Sequence, residues 1–296
     1  MRRWSVVVLA VVVVLAGCGA TPGGREDAER PATVTPAAVP TEPPTPTPVP
    51  VVVPGVTADG EVSAVALAAG HRDALVGDSF TRSATRTISE AGTLVRRTER
   101  RYRVEPFRPE FRYHQNQTIA GSYPARAAVA RLDLWSNGSG VVARLEDDDE
   151  VRYQQAPADE FSSLVVGITG DERVSALGGA FSFVVRDGPT ADTVRLVSTG
   201  LRTPAALDEP PLTTDVRNAS LTMVVTRAGL VRSYRLTYDV TLDERTLRVV
   251  ESMRITAVGD TQVERPSWYR FAVENGSQPP ERTGPNGSRG RYVPSP

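Results

Sequence analysis

The chain has 296 residues, 40% hydrophobic and 23% charged, with 34 basic side chains against 35 acidic ones and a formal net charge of −1. That is long enough for one sizeable core plus tails, and too evenly charged for a nucleic-acid-binding surplus or an acidic solvating chain. Cys18 is the single cysteine, so no disulfide forms within the chain and packing alone must stabilise the fold.

Arg2 and Arg3 precede an apolar run from Trp4 to Ala16. At about a dozen residues, the run is far short of the roughly twenty that cross hydrocarbon as a helix, and it reads as a secretion signal over residues 1–17. It ends in Leu15-Ala16-Gly17-Cys18, whose small residues suit a narrow peptidase site. These four residues resemble the lipobox of prokaryotic lipoproteins. The resemblance implies cleavage between Gly17 and Cys18, lipidation of the Cys18 thiol, and anchoring on the extracellular side of the cell membrane, where two acyl chains hold stably. Loss of Arg2 and Arg3 with the signal takes the net charge from −1 to −3. The Arg2-Arg3 pair also resembles a twin-arginine export signal, from which Ser5 departs, so the export route stays open.

Residues 18–58 are rich in Pro, Thr, Val, Ala and Gly and lack aromatics. Such a segment cannot bury enough apolar area to offset its ordering entropy, and it reads as a disordered stalk. Residues 59–274 carry the periodic patterns. Val62, Val65, Ala66, Ala69 and Leu75 recur at helical spacing, with Thr57 or Asp59 as cap and His71 on the helix. Period two then takes over. Ser79 to Ser89 sets Phe80, Ala84 and Ile88 against Ser and Thr, and Leu94 to Val104 follows the turn at Ala91-Gly92, with Arg96 and Arg100 intruding on its apolar face. Phe111 and Tyr113 share one face of the next strand and His114 takes the other. Ala127 to Trp135 and Val141 to Leu145 flank Asn137-Gly138, a two-residue hairpin signal.

The acidic run Asp147-Asp148-Asp149-Glu150 lacks the spacing and glycine of a calcium loop and reads as a solvated turn before Val151 to Gln155. Ala158 to Leu177 reads as one or two helices. Strands resume at Phe181 to Val185 and Thr193 to Ser198. A proline-rich loop over Leu207 to Leu212 leads to a three-strand meander, Leu221 to Arg227, Leu230 to Val240 and Leu247 to Val258. In its middle strand Leu230, Tyr234, Leu236, Tyr238 and Val240 share a face. Residues 275–296 read as a disordered tail.

All five asparagines open an N-x-[ST] triplet: Asn116, Asn137, Asn218, Asn275 and Asn286. Chance alone gives this on the order of one time in ten thousand, so N-glycosylation of an exported protein is expected.

Roughly ten antiparallel strands and two helical segments predict an α+β fold: a large curled antiparallel sheet, a half-barrel, with helices packed against its concave side. The helix ending in His71-Arg72-Asp73-Ala74-Leu75, with Ser79-Phe80-Thr81, Gly259-Asp260-Thr261 and Pro266-Ser267-Trp268-Tyr269, resembles uncharacterised surface lipoproteins of halophilic archaea. More remotely, the element order is similar to the lipoprotein-carrier half-barrels of bacterial envelopes. That second resemblance implies a non-enzymatic module that binds a lipid or other apolar ligand, with Phe80, Tyr234, Leu236 and Tyr238 as candidate lining.

The alternative is a glycosylated surface structural or interaction protein without a ligand cavity. No hydrolase elbow, zinc-protease, P-loop or redox motif occurs. The expectation is therefore no enzyme, no cofactor, no metal and no nucleic acid, with the membrane as partner.

Overall fold

The computed structural model describes residues 50–105, 110–119, 130–147, 150–157, 167–207, 215–242 and 244–275. The signal with Gly17 and Cys18, most of the stalk, the start of the segment read as Ala158 to Leu177, much of the proline-rich loop, and the tail with Asn286 lie outside these residues. No described helix is long and apolar enough to cross a membrane.

Order begins earlier than the composition suggests. Val51–Val53 (β1) and Val56–Thr57 (β2) pair as a hairpin, and Val53 and Val56 are buried. The stalk boundary at 58 is therefore too late, because the Val51-Val52-Val53 run reaches the core despite its proline-rich surroundings. Ser63 then caps Ala64–Asp73 (α1), its hydroxyl accepting from the Ala66 N–H at 3.4 Å. Thr57 and Asp59 instead bond each other in the turn before it. The buried face of α1 is Leu67, Ala68 and His71, continued by Leu75, while Val65 is 77% exposed. The periodicity read from Val65 and Ala66 lies one step around the helix from the true face.

Eleven strands form one open sheet. Phe80–Glu90 (β3), Thr93–Glu105 (β4), Glu110–Ile119 (β5), Arg131–Asn137 (β6), Gly140–Asp147 (β7) and Glu150–Pro157 (β8) form one meander. After Asp171–Ala180 (α2), Phe181–Asp187 (β9), Thr193–Leu201 (β10), Val216–Thr226 (β11), Val231–Leu242 (β12) and Arg245–Thr256 (β13) form the second. The two meet where β13 pairs antiparallel with β3, from Leu247 opposite Glu90 to Thr256 opposite Thr81. Among the described residues this central seam is the only ladder in the sheet between strands distant in sequence, and the sheet curls without closing, as predicted.

Turn chemistry sets the registers. Ala91 and Gly92 both have positive φ, the geometry that matches strand twist in a two-residue hairpin. At the β6–β7 hairpin only Gly138 is left-handed. Asn137 stays in β6, and its side-chain oxygen accepts from the Ser139 and Gly140 N–H groups at 3.1 Å each, so the turn sits one residue later than Asn137-Gly138.

α1 and α2 pack on each other over the half of the sheet built from β9 to β13. Gly178 of α2 faces the Leu67 side chain of α1 at this contact. Tyr269–Asn275 (α3) clasps the opposite, convex face at β6 to β8. Trp268 Nε1 donates to Asp133 at 3.2 Å, Tyr269 packs edge-on to Trp135 at 4.8 Å, and Gln155 donates to the Ala272 carbonyl at 3.1 Å.

Candidate functional site: an arginine-lined cavity over the seam

Alternation along β3 sends Phe80, Arg82, Ala84, Arg86 and Ile88 to the concave face, and the register with β4 sets Tyr102 opposite Arg82, Arg100 opposite Ala84 and Thr98 opposite Arg86. On the other side of β3, Met253 of β13 lies opposite Ala84 and Glu251 opposite Arg86, with Tyr234 of β12 beside Met253. The residues leading into α2 cross above. Together these groups border a partly open cavity of about 260 Å³ walled by Arg82, Arg86, Arg100 and Arg173, by Tyr102, Tyr234 and Met253, and by Glu251, the one carboxylate among the described lining residues.

The cavity exists because its floor and roof are small. Ala84 contributes one methyl group below, and Gly170 contributes no side chain above. Gly170 has φ +83°, and a Cβ there would come within 2.2 Å of the Arg82 guanidinium.

Glu251 is fully engaged. Arg173 grips it bidentately at 2.9 and 2.8 Å, Tyr234 donates to it at 2.7 Å, and Arg173 also donates to the Ala206 carbonyl at 2.9 Å. Burial works against both charges. The pair nonetheless holds the Glu251 carboxyl below, and the Arg173 guanidinium above, their ordinary values. Burial, and then the Glu251 charge, push the Tyr234 phenol up.

Arg82 is different. Its guanidinium lies over the Tyr102 ring at 4.1 Å and its Nε is buried without a hydrogen-bond partner. Burial pushes its pKa down against the Tyr102 and Tyr234 phenols, and the neighbouring Arg100 charge adds a smaller push in the same direction as burial. Arg100 donates to the neutral Gln115 at 3.1 Å, and Arg86 to the Tyr238 hydroxyl at 3.0 Å.

His71 pins the helices to the sheet above this region. Its Nε2 donates to the Thr169 carbonyl at 3.1 Å and its Nδ1 accepts from the Val231 N–H at 3.2 Å, a neutral tautomer in a fully buried position. Burial lowers its pKa, against the Thr169 carbonyl, which favours the charged form.

Of the four apolar positions expected to line a ligand site, only Tyr234 reaches the cavity wall. Phe80 and Tyr238 are 2% exposed and Leu236 is 0% exposed, so these three are core. The Tyr238 hydroxyl donates to the Leu207 carbonyl at 3.1 Å. The alternation of β12 that placed all three tyrosine and leucine side chains on one face is correct, but that face is sealed beyond Tyr234. What the sequence reading passed over are Arg82 and Arg86, which share the alternation of Phe80, Ala84 and Ile88; that shared register was the available signal.

Asn137, Asn218 and Asn275 are exposed, whereas Asn116 is half-buried in mid-sheet, paired across to Glu99 and Arg131. Among the described residues no three His, Cys, Asp or Glu side chains gather where a metal ion could sit.

Two solved structures are loosely similar to this chain. A crystal structure of a DUF1329 family protein from Desulfovibrio piger is 10% identical, over 70% of this chain and 95% of that one, with a TM-score of 0.27. A LolA superfamily protein from Nitrosomonas europaea is 10% identical, over 69% of this chain and 96% of that one, with a TM-score of 0.24. No curated protein matches. Residues 3–272 match the profile of a family of unknown function, DUF7537, and the chain belongs to that family.

Proposed function

We propose that this protein is a membrane-anchored extracellular lipoprotein whose half-barrel binds an amphiphilic ligand without acting on it chemically. The observation that carries this reading is the partly open cavity of about 260 Å³ between the seam and the start of α2. It is a recess into which several charged and aromatic side chains converge, a place where a small ligand with a polar group can bind. The anchor part rests on Leu15-Ala16-Gly17-Cys18 at the end of a short apolar signal. No described residue in the cavity forms a nucleophile–base pair, which favours binding over catalysis.

A second reading, a glycosylated surface protein that works through its exterior, draws on the exposure of Asn137, Asn218 and Asn275. The two readings part on ligand occupancy. For the anchor, Cys18→Ser expressed in a host that lipidates its exported proteins should leave the membrane fraction for the medium. Retention of that variant at parental levels would refute lipidation as the tether.

A further inference from the structure

We propose that the cavity over the β3–β13 seam is an anion site, in which the phosphate, sulfate or carboxylate group of an amphiphile lies between Arg82 and Arg100. This rests on the reading of the half-barrel as a ligand-binding module and names the chemistry it selects. Among the described residues, four guanidinium groups face the cavity against one carboxylate, and that carboxylate is taken by Arg173 and Tyr234. Arg86 is engaged with Tyr238. Arg82 and Arg100 remain, neighbours on adjacent strands, one resting on an aromatic face and one on a neutral amide. No carboxylate among the described residues makes an ion pair with either.

A desolvated guanidinium without a counter-charge is costly, and two side by side repel in a low-dielectric wall. A negatively charged ligand group removes both costs at once. The planar fork of Arg also suits the oxygens of a phosphate or carboxylate.

Size narrows the class further. At about 260 Å³ the space has room for a charged headgroup with a few carbons but not for two acyl chains. The ligand's apolar part therefore extends out of the cavity, and the headgroup is what the protein reads.

The test uses the full chain, stripped of bound lipid and held in an uncharged detergent, titrated calorimetrically with three probes. These are dihexanoyl phosphatidic acid, uncharged dihexanoylglycerol and inorganic phosphate. The acid should bind at least tenfold more tightly than either of the others, and its affinity should fall as salt rises. Arg82→Gln and Arg100→Gln should each weaken it tenfold or more. Ala84→Leu, which fills the floor and leaves every charge in place, should abolish it.

Equal binding of the acid and dihexanoylglycerol would overturn the anion site while leaving the ligand-binding reading intact. Inorganic phosphate binding as tightly as the acid would support the anion site and overturn the amphiphile as its source. Binding of no probe by a folded protein would overturn both the site and the reading beneath it.

Discussion

Two arginines that face the same cavity should respond in opposite ways to the same substitution. Arg173→Met leaves Glu251, which is 8% exposed, with one phenol in place of a bidentate guanidinium, and it strips a donor from the Ala206 carbonyl. Breaking a buried pair by removing one partner costs about 3–5 kcal/mol. The Arg173 side chain keeps 26% exposure, which admits some solvent screening and places the expected loss near the bottom of that range, about 3 kcal/mol. For a domain of this size that lowers Tm by roughly 6–12 °C.

Arg82→Met removes a desolvated charge that no described carboxylate compensates. What it forfeits is the contact with the Tyr102 ring, worth about 1–2 kcal/mol, and what it gains is relief of the buried charge and of its repulsion with Arg100. The net change should lie within about 1 kcal/mol of the parent, or on the stabilising side. Thermal unfolding of ligand-stripped protein, followed by circular dichroism, reads both variants. If Arg82→Met loses as much as Arg173→Met, Arg82 is a structural tie and is not held in reserve for a ligand.

Stability should fall in mild acid through His71. Its folded pKa lies below the unfolded value of about 6.5, so its contribution is complete above that value and is lost as pH falls below it, by at most about 1.4 kcal/mol per pH unit. His71→Phe should lower stability at neutral pH yet flatten the profile just below pH 6.5; an unchanged profile would assign the slope to other groups. Trp268→Ala should loosen the clasp on β6 to β8 by releasing Asp133 from one of its donors, seen as faster amide exchange in β7 and β8 with β9 to β13 unaffected. In a glycosylating host, Asn137→Gln, Asn218→Gln and Asn275→Gln should each reduce intact mass by one glycan. Asn116, half-buried in mid-sheet, should be the least occupied of the four.

The second meander was legible because its residues obey one rule at a time. Tyr234, Leu236, Tyr238 and Val240 alternate cleanly with polar residues, and the turns on either side have the expected chemistry. β4 was harder for the reason that makes it interesting. Arg96 and Arg100 on its apolar face weaken a pattern read as hydrophobic against polar, yet the strand forms, and Arg100 is there because the cavity beside Ala84 receives it. The β3–β13 seam left no local trace, since pairing between residues so far apart is decided by which edges remain unsatisfied once each meander has formed. β1 was hidden by its prolines, and the face of α1 by an apolar composition that offers more than one stripe.

The central claim is occupancy of the cavity by a negatively charged amphiphile, and native mass spectrometry of the full chain extracted gently from its own membrane tests it most directly. The parent should carry one anionic amphiphile, released on activation and identified by its mass, and Ala84→Leu should carry none. Parent protein that is repeatedly recovered empty, or that carries an uncharged lipid retained equally by Arg82→Gln, would contradict it.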